Sequence, residues 1–169
     1  MTTPEFSREI DVRQVQGKQV RLVANPAECD ALARRFGVVR IESLAAELGL
    51  VRLDDAVEAR GQLDAALVQA CSVSGEDFPV TISEPLFFRF VPASSDHRAD
   101  EEIELAADDC DEIDYSGTMI DLGEAVAQSL ALAIDPFAEG PGADEARRQA
   151  GIIGEGEAGP FAALAALKK

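Results

Sequence analysis

The side chains best suited to chemistry are carboxylates, and they are concentrated in one stretch of the chain. Residues 96–114 contain ten acidic side chains and one basic side chain, Arg98. Calcium loops end on a bidentate Glu at their twelfth position. The nearest such frame begins at Glu112 and has Gly123 there, so we predict no calcium site. Because like charges repel and resist packing, the run predicts either a solvated, mobile loop or a landing surface for a basic partner.

Catalytic groups of other kinds are sparse. The chain has one histidine, His97, and three scattered cysteines, Cys29, Cys71 and Cys110, whose odd number fits a reducing compartment. No Ser-His-Asp or Cys-His pattern and no phosphate-binding glycine loop is present. We therefore predict no enzyme activity, no cofactor and no small-molecule substrate. A small hydrolase is the less favoured alternative, and it would require a cleft that gathers acids of raised pKa.

Charge is distributed unevenly along the 169 residues. The chain carries 15 Lys and Arg against 32 Asp and Glu, a net charge of −17. Residues 1–60 contribute −1, residues 61–99 contribute −3 and residues 100–169 contribute −13. Such a chain is repelled by nucleic-acid phosphates and by anionic lipid. No apolar run reaches the roughly 20 residues of a membrane helix. The first eight residues show no export signal, so we expect a cytoplasmic protein.

A cluster of arginines in the near-neutral N-terminal part is the one feature that favours RNA binding. Such a patch would oppose the overall negative charge locally, provided that its members share one face of the fold. The candidate residues are Arg34, Arg35, Arg40, Arg52 and Arg60.

The hydrophobic pattern predicts a sheet built around a long hairpin. Apolar and polar residues alternate from Val57 to Cys71 and again from Phe78 to Phe90, with Ser72–Asp77 as the turn. Pro79 and Pro85 lack amide donors, which predicts an unpaired side or a bulge in the return strand. Shorter strands are predicted at Phe6–Val15, Gln19–Val23, Val38–Ile41 and Leu48–Leu53.

Two helices are predicted from capping signals and helical periodicity. The first begins at the cap Asn25 and ends at Gly37, and the second begins at the cap Asp121 and ends before Pro136. Each has one apolar face, which needs the sheet as a partner. The predicted fold class is therefore α+β, an antiparallel sheet with a long central hairpin and two packed helices.

We expect residues 1–137 to form a single domain that includes an acidic, flexible loop at residues 96–116. Residues 138–169 are predicted to be a flexible acidic linker followed by a terminal segment, Pro160–Lys169. Within the linker, Glu139–Gly142 is rich in glycine and is not expected to pack, whereas Ala143–Ala150 is expected to form one or two helical turns.

The terminal segment, defined here as Pro160–Lys169, has an amphipathic pattern. Phe161, Leu164 and Leu167 share one face if the segment is helical. Ten residues are too few for a stable isolated helix, since about 12–15 is already marginal. The segment therefore either packs on its own domain or folds on a partner, and the sequence leaves both readings open.

This order of features resembles the YceD family. The resemblance is carried by the hairpin with Cys71 at its turn, the acidic run, the Ile120-Asp-Leu helix start and the Pro160-Phe-Ala-x-Leu-x-x-Leu-Lys motif. It covers most of residues 5–169 and is sharpest at residues 160–168. YceD is a bacterial and plastid family linked to accumulation of large-subunit ribosomal RNA. Its genes commonly neighbour the gene of a small large-subunit ribosomal protein.

The chain departs from that family at its cysteines. Many members carry Cys-x-x-Cys at the hairpin turn and a second Cys pair after the C-terminal helix, a set that suits structural zinc. Here Ser74 occupies the second thiol position, and residues 135–150 contain no Cys. We therefore predict no metal site.

The resemblance implies a non-catalytic ribosome-biogenesis factor that supports accumulation of large-subunit ribosomal RNA. Together with the charge pattern, it predicts binding to a basic large-subunit ribosomal protein. The expected contact residues are Asp100, Glu101, Glu102, Glu104, Asp108, Asp109, Asp111 and Glu112, with Phe161, Leu164 and Leu167 as the apolar anchor. Direct binding of ribosomal RNA through the arginine patch is the alternative.

Overall fold

A computed structural model describes residues 4–93 and 111–151 of the protein. The chain forms an α+β fold, as the sequence predicts, with a 3₁₀ turn at Val12–Gln14. The other elements are β1 (Glu9–Asp11), β2 (Lys18–Val23), α1 (Pro26–Phe36), β3 (Arg40–Leu53), β4 (Ala56–Ala70), β5 (Asp77–Pro92), β6 (Asp111–Tyr115), β7 (Met119–Asp121), α2 (Leu122–Ala133) and α3 (Ala143–Gln149).

The main sheet has five strands in the order β2-β3-β4-β5-β6. All neighbours are antiparallel except β5 and β6, which are parallel. β1 and β7 form a separate two-stranded ribbon. Among the described residues, no helix is long and apolar enough to cross a membrane.

The predicted hairpin is confirmed. β4 and β5 pair without interruption from Val57 opposite Phe90 to Ala70 opposite Asp77. Among the described strands, β5 pairs with β4 alone at Pro79 and Pro85, because β6 pairs with β5 from Phe88 onward. The prolines therefore sit on a strand edge that needs no donors from them on that side.

Two strand predictions are wrong, each for a local reason. The strands predicted separately at Val38–Ile41 and Leu48–Leu53 are replaced by one continuous strand, β3 (Arg40–Leu53). A register shift between Ile41 and Ser43 interrupts the alternation of apolar and polar residues on which the prediction depends. The expected strand at Phe6–Val15 is reduced to Glu9–Asp11, since the Asp11 carboxylate accepts a hydrogen bond from the Arg13 amide and starts the 3₁₀ turn.

The helices begin and end where the sequence predicts. Asn25 and Glu28 form a reciprocal capping box, and Gly37 ends α1 in the left-handed conformation at φ 69°. Asp121 caps α2 by accepting from the Glu124 amide. Both helices pack on the same face of the sheet, where their buried positions join the core. The core contains Leu32 of α1, Leu48 of β3, Leu63 of β4, Phe88 of β5, and Val126 and Leu130 of α2.

The expectation that Glu139–Gly142 does not pack is wrong. The Ser72 amide donates to the Ala138 carbonyl at 3.1 Å, and the Ser72 hydroxyl donates to the Phe137 carbonyl at 3.0 Å. Gly140 lies so close to the hairpin turn that a Cβ there would be 2.9 Å from the Phe78 ring. Small residues thus let this stretch pack on the turn. The division at residue 137 stays a prediction.

Part of the segment predicted as an acidic loop, residues 96–116, is a strand. Asp111–Tyr115 forms β6 beside β5, whereas residues 96–110 lie outside the described residues. Ile113 packs against the core, and the Tyr115 hydroxyl donates to the Asp55 carbonyl at 3.0 Å. These two anchors explain why a charged stretch is held at the sheet edge.

Candidate partner-binding surfaces

Most of the predicted acidic contact residues lie outside the described residues. This holds for Asp100, Glu101, Glu102, Glu104, Asp108 and Asp109, and equally for Phe161, Leu164 and Leu167 of the terminal segment. Asp111 and Glu112 belong to β6. The Glu112 carboxylate lies 3.7 Å from the Arg89 guanidinium in an exposed pair, which contributes little to stability.

The five arginines of the alternative RNA patch do not gather on one face. Arg40 and Arg52 lie near opposite ends of β3, about 40 Å apart along an extended strand. Arg60 stands beside Gly49 and Phe87, on the sheet face away from the helices. Arg34 and Arg35 are in the last turn of α1, on the helical side. The spatial condition for this patch is therefore not met.

Four of these arginines are also held by neighbouring groups. Arg35 bridges Glu5 and Glu124 at 3.0 and 2.7 Å, and Arg40 pairs with Glu42 at 3.1 Å. Arg52 donates to the Asp54 carbonyl at 3.0 Å. Arg60 stacks 4.0 Å from the centre of the Phe87 ring and pairs with Glu58. These contacts compete with any phosphate for the same donors.

A polar junction ties the N-terminal segment to both helices. The Asp121 carboxylate accepts from the Ser7 hydroxyl at 2.6 Å and from the Arg8 amide at 2.8 Å. Arg8 forms a two-point pair with Glu28 at 2.8 and 2.9 Å. The hydrogen bond from Arg8 lowers the pKa of Glu28. This junction is partly buried, so its charges are screened less than surface pairs.

Replacing Glu28 with Gln is expected to lower the free energy of unfolding by about 1 kcal/mol near neutral pH. Gln retains the capping contact but loses the charge. Since the pKa of Glu28 is lowered from 4.5, its stabilisation is complete above that value and is lost as the pH falls through the lowered one. Urea unfolding near neutrality and in acid measures the difference.

Glu42→Gln is the matched control, because the Arg40–Glu42 pair is exposed and should contribute almost nothing. The difference in the free energy of unfolding between wild type and E28Q should become smaller in acid. A difference of the same size in acid would contradict the stabilising role of the ionised Arg8–Glu28 pair.

A cleft between β6, β7 and α2 bears on the hydrolase alternative. It has a volume of about 200 Å³ and contains Asp114, Asp121 and Glu124 among its lining residues. The hydrogen bond from Arg35 lowers the pKa of Glu124, whereas an acid catalyst needs a raised pKa. Asp121 is already committed to Ser7, Arg8 and the start of α2. The cleft gives a hydrolase no support.

The hairpin turn does not provide a zinc site. Cys71 is 4% exposed, and its sulfur accepts from the Ser74 amide at 3.3 Å. Hydrogen bonds from Ser74 lower the pKa of the Cys71 thiol to about 7. The stretch facing it provides Gly140, whose added Cβ would lie 3.4 Å from the Cys71 Cβ. One thiol, a hydroxyl and a glycine do not make a tetrahedral zinc site, so the residues present do not fit that metal.

A groove with a partly apolar lining runs between α2 and β5, beside an edge of β5 that no other described strand covers. The α2–β5 groove, as we name it, has a volume of about 310 Å³. Leu132 at its rim is 84% exposed, and Phe137, just beyond α2, is 79% exposed. Residues that line the groove include Glu84, Leu86, Phe88, Ser129, Leu132 and Ala133.

Comparison with known families shows which protein family this chain belongs to. The sequence model described as "Large ribosomal RNA subunit accumulation protein YceD" matches residues 59–168. The chain belongs to the YceD family. The match begins within β4, covers the chain through α3 and extends into the terminal segment, whereas the resemblance over residues 5–58 stays a prediction. No curated protein and no solved structure matches the chain.

The family description ties this chain to accumulation of large-subunit ribosomal RNA and names no catalytic activity. Sequence reasoning missed the Asp121 junction, the α2–β5 groove and the packing of residues 138–143. A sequence signal for the groove is that Leu132, a large apolar residue, lies off the apolar face of the α2 pattern. Neither the Ser7–Asp121 bond nor the Gly140–Phe78 approach has a local sequence signature.

Proposed function

We propose that this YceD family member acts without catalysis, in the cytoplasm, by binding a basic large-subunit ribosomal protein and thereby supporting ribosomal RNA accumulation. The acidic residues 100–112 supply the electrostatic attraction, and Phe161, Leu164 and Leu167 supply the apolar anchor. Complementary charge speeds encounter, whereas buried apolar side chains slow release.

The single observation that supports this proposal is how the arginines of residues 4–93 and 111–151 are paired. Within that part of the chain, nine arginines lie within 4.0 Å of a carboxylate, and one of these pairs, Arg89–Glu112, involves a predicted acidic contact residue. The cations of the described residues are thus largely occupied by other carboxylates. Residues 100–169 nevertheless carry −13, a charge that favours a cationic partner.

Titration of the full chain against basic large-subunit ribosomal proteins, with ribosomal RNA as a separate ligand, tests the proposal. Affinity for the protein partner should fall at least about tenfold when salt rises from about 0.05 to 0.5 M, because screening shortens the reach of exposed charges. RNA should bind more weakly than the protein at every salt concentration. Tight RNA binding without protein binding would instead favour the alternative function, direct RNA contact.

A further inference from the structure

The α2–β5 groove lies next to a strand edge that is open among the described residues. β6 pairs with β5 only at Phe88–Pro92, so the stretch from Asp77 to Phe87 pairs with β4 alone. Leu132 projects into solvent beside this edge. An open strand edge presents unpaired backbone groups to a further segment of chain, and Leu132 adds exposed apolar surface beside it.

We propose that the terminal segment, Pro160–Lys169, docks in the α2–β5 groove of its own chain. The side chains Phe161, Leu164 and Leu167 would cover Leu132, Ala133 and Leu86. The inference concerns the protein by itself and goes beyond the proposed function, in which the same segment anchors a partner.

The point where the described chain ends supports this occupant. α3 starts next to the hairpin turn, where Ala143 is 3% exposed and the Ala143 amide donates to Gly140. The end of α2 lies at the same end of the sheet, since Gln69 of β4 donates to the Asp135 carbonyl at 2.8 Å. α3 is only about 10 Å long. The eight residues Ile152–Gly159 extend up to about 27 Å, enough to return along α3 and reach the end of α2.

Charge complementarity supports the same occupant. The segment ends in Lys168 and Lys169, and Lys18 is the only other lysine of the chain. Glu84 lies in the groove and is exposed. Docking would bring a cationic end to a carboxylate, and a tethered segment pays less entropy than a free peptide because its effective concentration is high.

Tryptophan fluorescence on the full chain gives a direct test, because the chain contains no Trp. Phe161→Trp should emit at shorter wavelength than Ile153→Trp, a matched reporter in the linker. Adding Leu132→Asp should shift the Phe161→Trp emission back to that of the linker reporter. Leu132 is 84% exposed, so the substitution should leave the fold intact, as circular dichroism can verify.

Hydrogen exchange keeps the test independent of the reporter. Changing Phe161, Leu164 and Leu167 together to Ser should speed exchange of the backbone amides of Glu84, Leu86, Phe87 and Phe88 by at least about fivefold. Changing Ala162, Ala163 and Ala165 to Ser is the control and should have little effect. Equal exchange in both variants, or Phe161→Trp emission insensitive to Leu132→Asp, would overturn the proposal.

Light scattering separates this docking from pairing of two copies. The difference in emission wavelength between the Phe161→Trp and Ile153→Trp proteins should be the same across a hundredfold range of protein concentration. Light scattering should give the mass of a monomer throughout that range. A difference that appears only as dimers form would overturn docking within one chain. Because no partner is added, these outcomes are distinct from failure of the proposed function, which is decided by the ribosomal-protein titration.

Discussion

Gly61→Ala is expected to lower the free energy of unfolding by about 3 kcal/mol, a large share of the stability of a domain this size. A Cβ at Gly61 would overlap the Glu47 carbonyl oxygen and lie 2.8 Å from its carbon. These are backbone atoms of β3 in the ladder with β4. They cannot move without breaking strand pairing at the centre of the sheet. Urea denaturation followed by circular dichroism measures the loss.

Gly49→Ala is the matched control on the neighbouring strand. The nearest obstacle to a Cβ there is the Gln19 side-chain amide, 2.8 Å away. That flexible side chain can rotate, so we expect a cost below about 1 kcal/mol. Similar losses for the two variants would show that loss of glycine in the sheet matters, rather than the close approach of Gly61 to β3.

The parts of the fold that the sequence predicts are those set by neighbouring residues. Asn25, Glu28 and Gly37 fix both ends of α1 within the helix itself. The hairpin follows from alternation along two strands joined by a short turn. Such signals survive folding because the interactions that they report are local.

The parts that the sequence does not predict depend on distant pairs. The bulge in β3 adds one residue to the strand, and the hydrophobic pattern of the sequence does not indicate its position. β6 is held beside β5 by Tyr115 reaching Asp55, 60 residues away. The candidate surfaces differ in the same way. The acidic stretch can be located from the charge of the sequence alone, whereas the separation of Arg40, Arg52 and Arg60 in space depends on strand register.

Neutralising part of the acidic run is expected to have the largest effect on function. Changing five residues to their amides should slow association with a basic ribosomal protein at low salt by roughly tenfold or more, while dissociation changes little. The reason is that these carboxylates act at long range, before contact is made. Stopped-flow mixing measures the rate constant. The five residues are Asp100, Glu101, Glu102, Glu104 and Asp108.

A control variant with the same net charge separates local attraction from overall charge. In this variant, five exposed acidic residues within residues 4–93 are changed to their amides. They are Glu9, Asp30, Asp54, Asp55 and Asp77. Both variants lose five negative charges, so a partner that senses only net charge would bind them at the same rate. If the acidic run is the surface that attracts the partner, the control should associate nearly as fast as the wild type at low salt. Equal slowing of both variants would assign the attraction to the whole molecule and remove the run as a specific site.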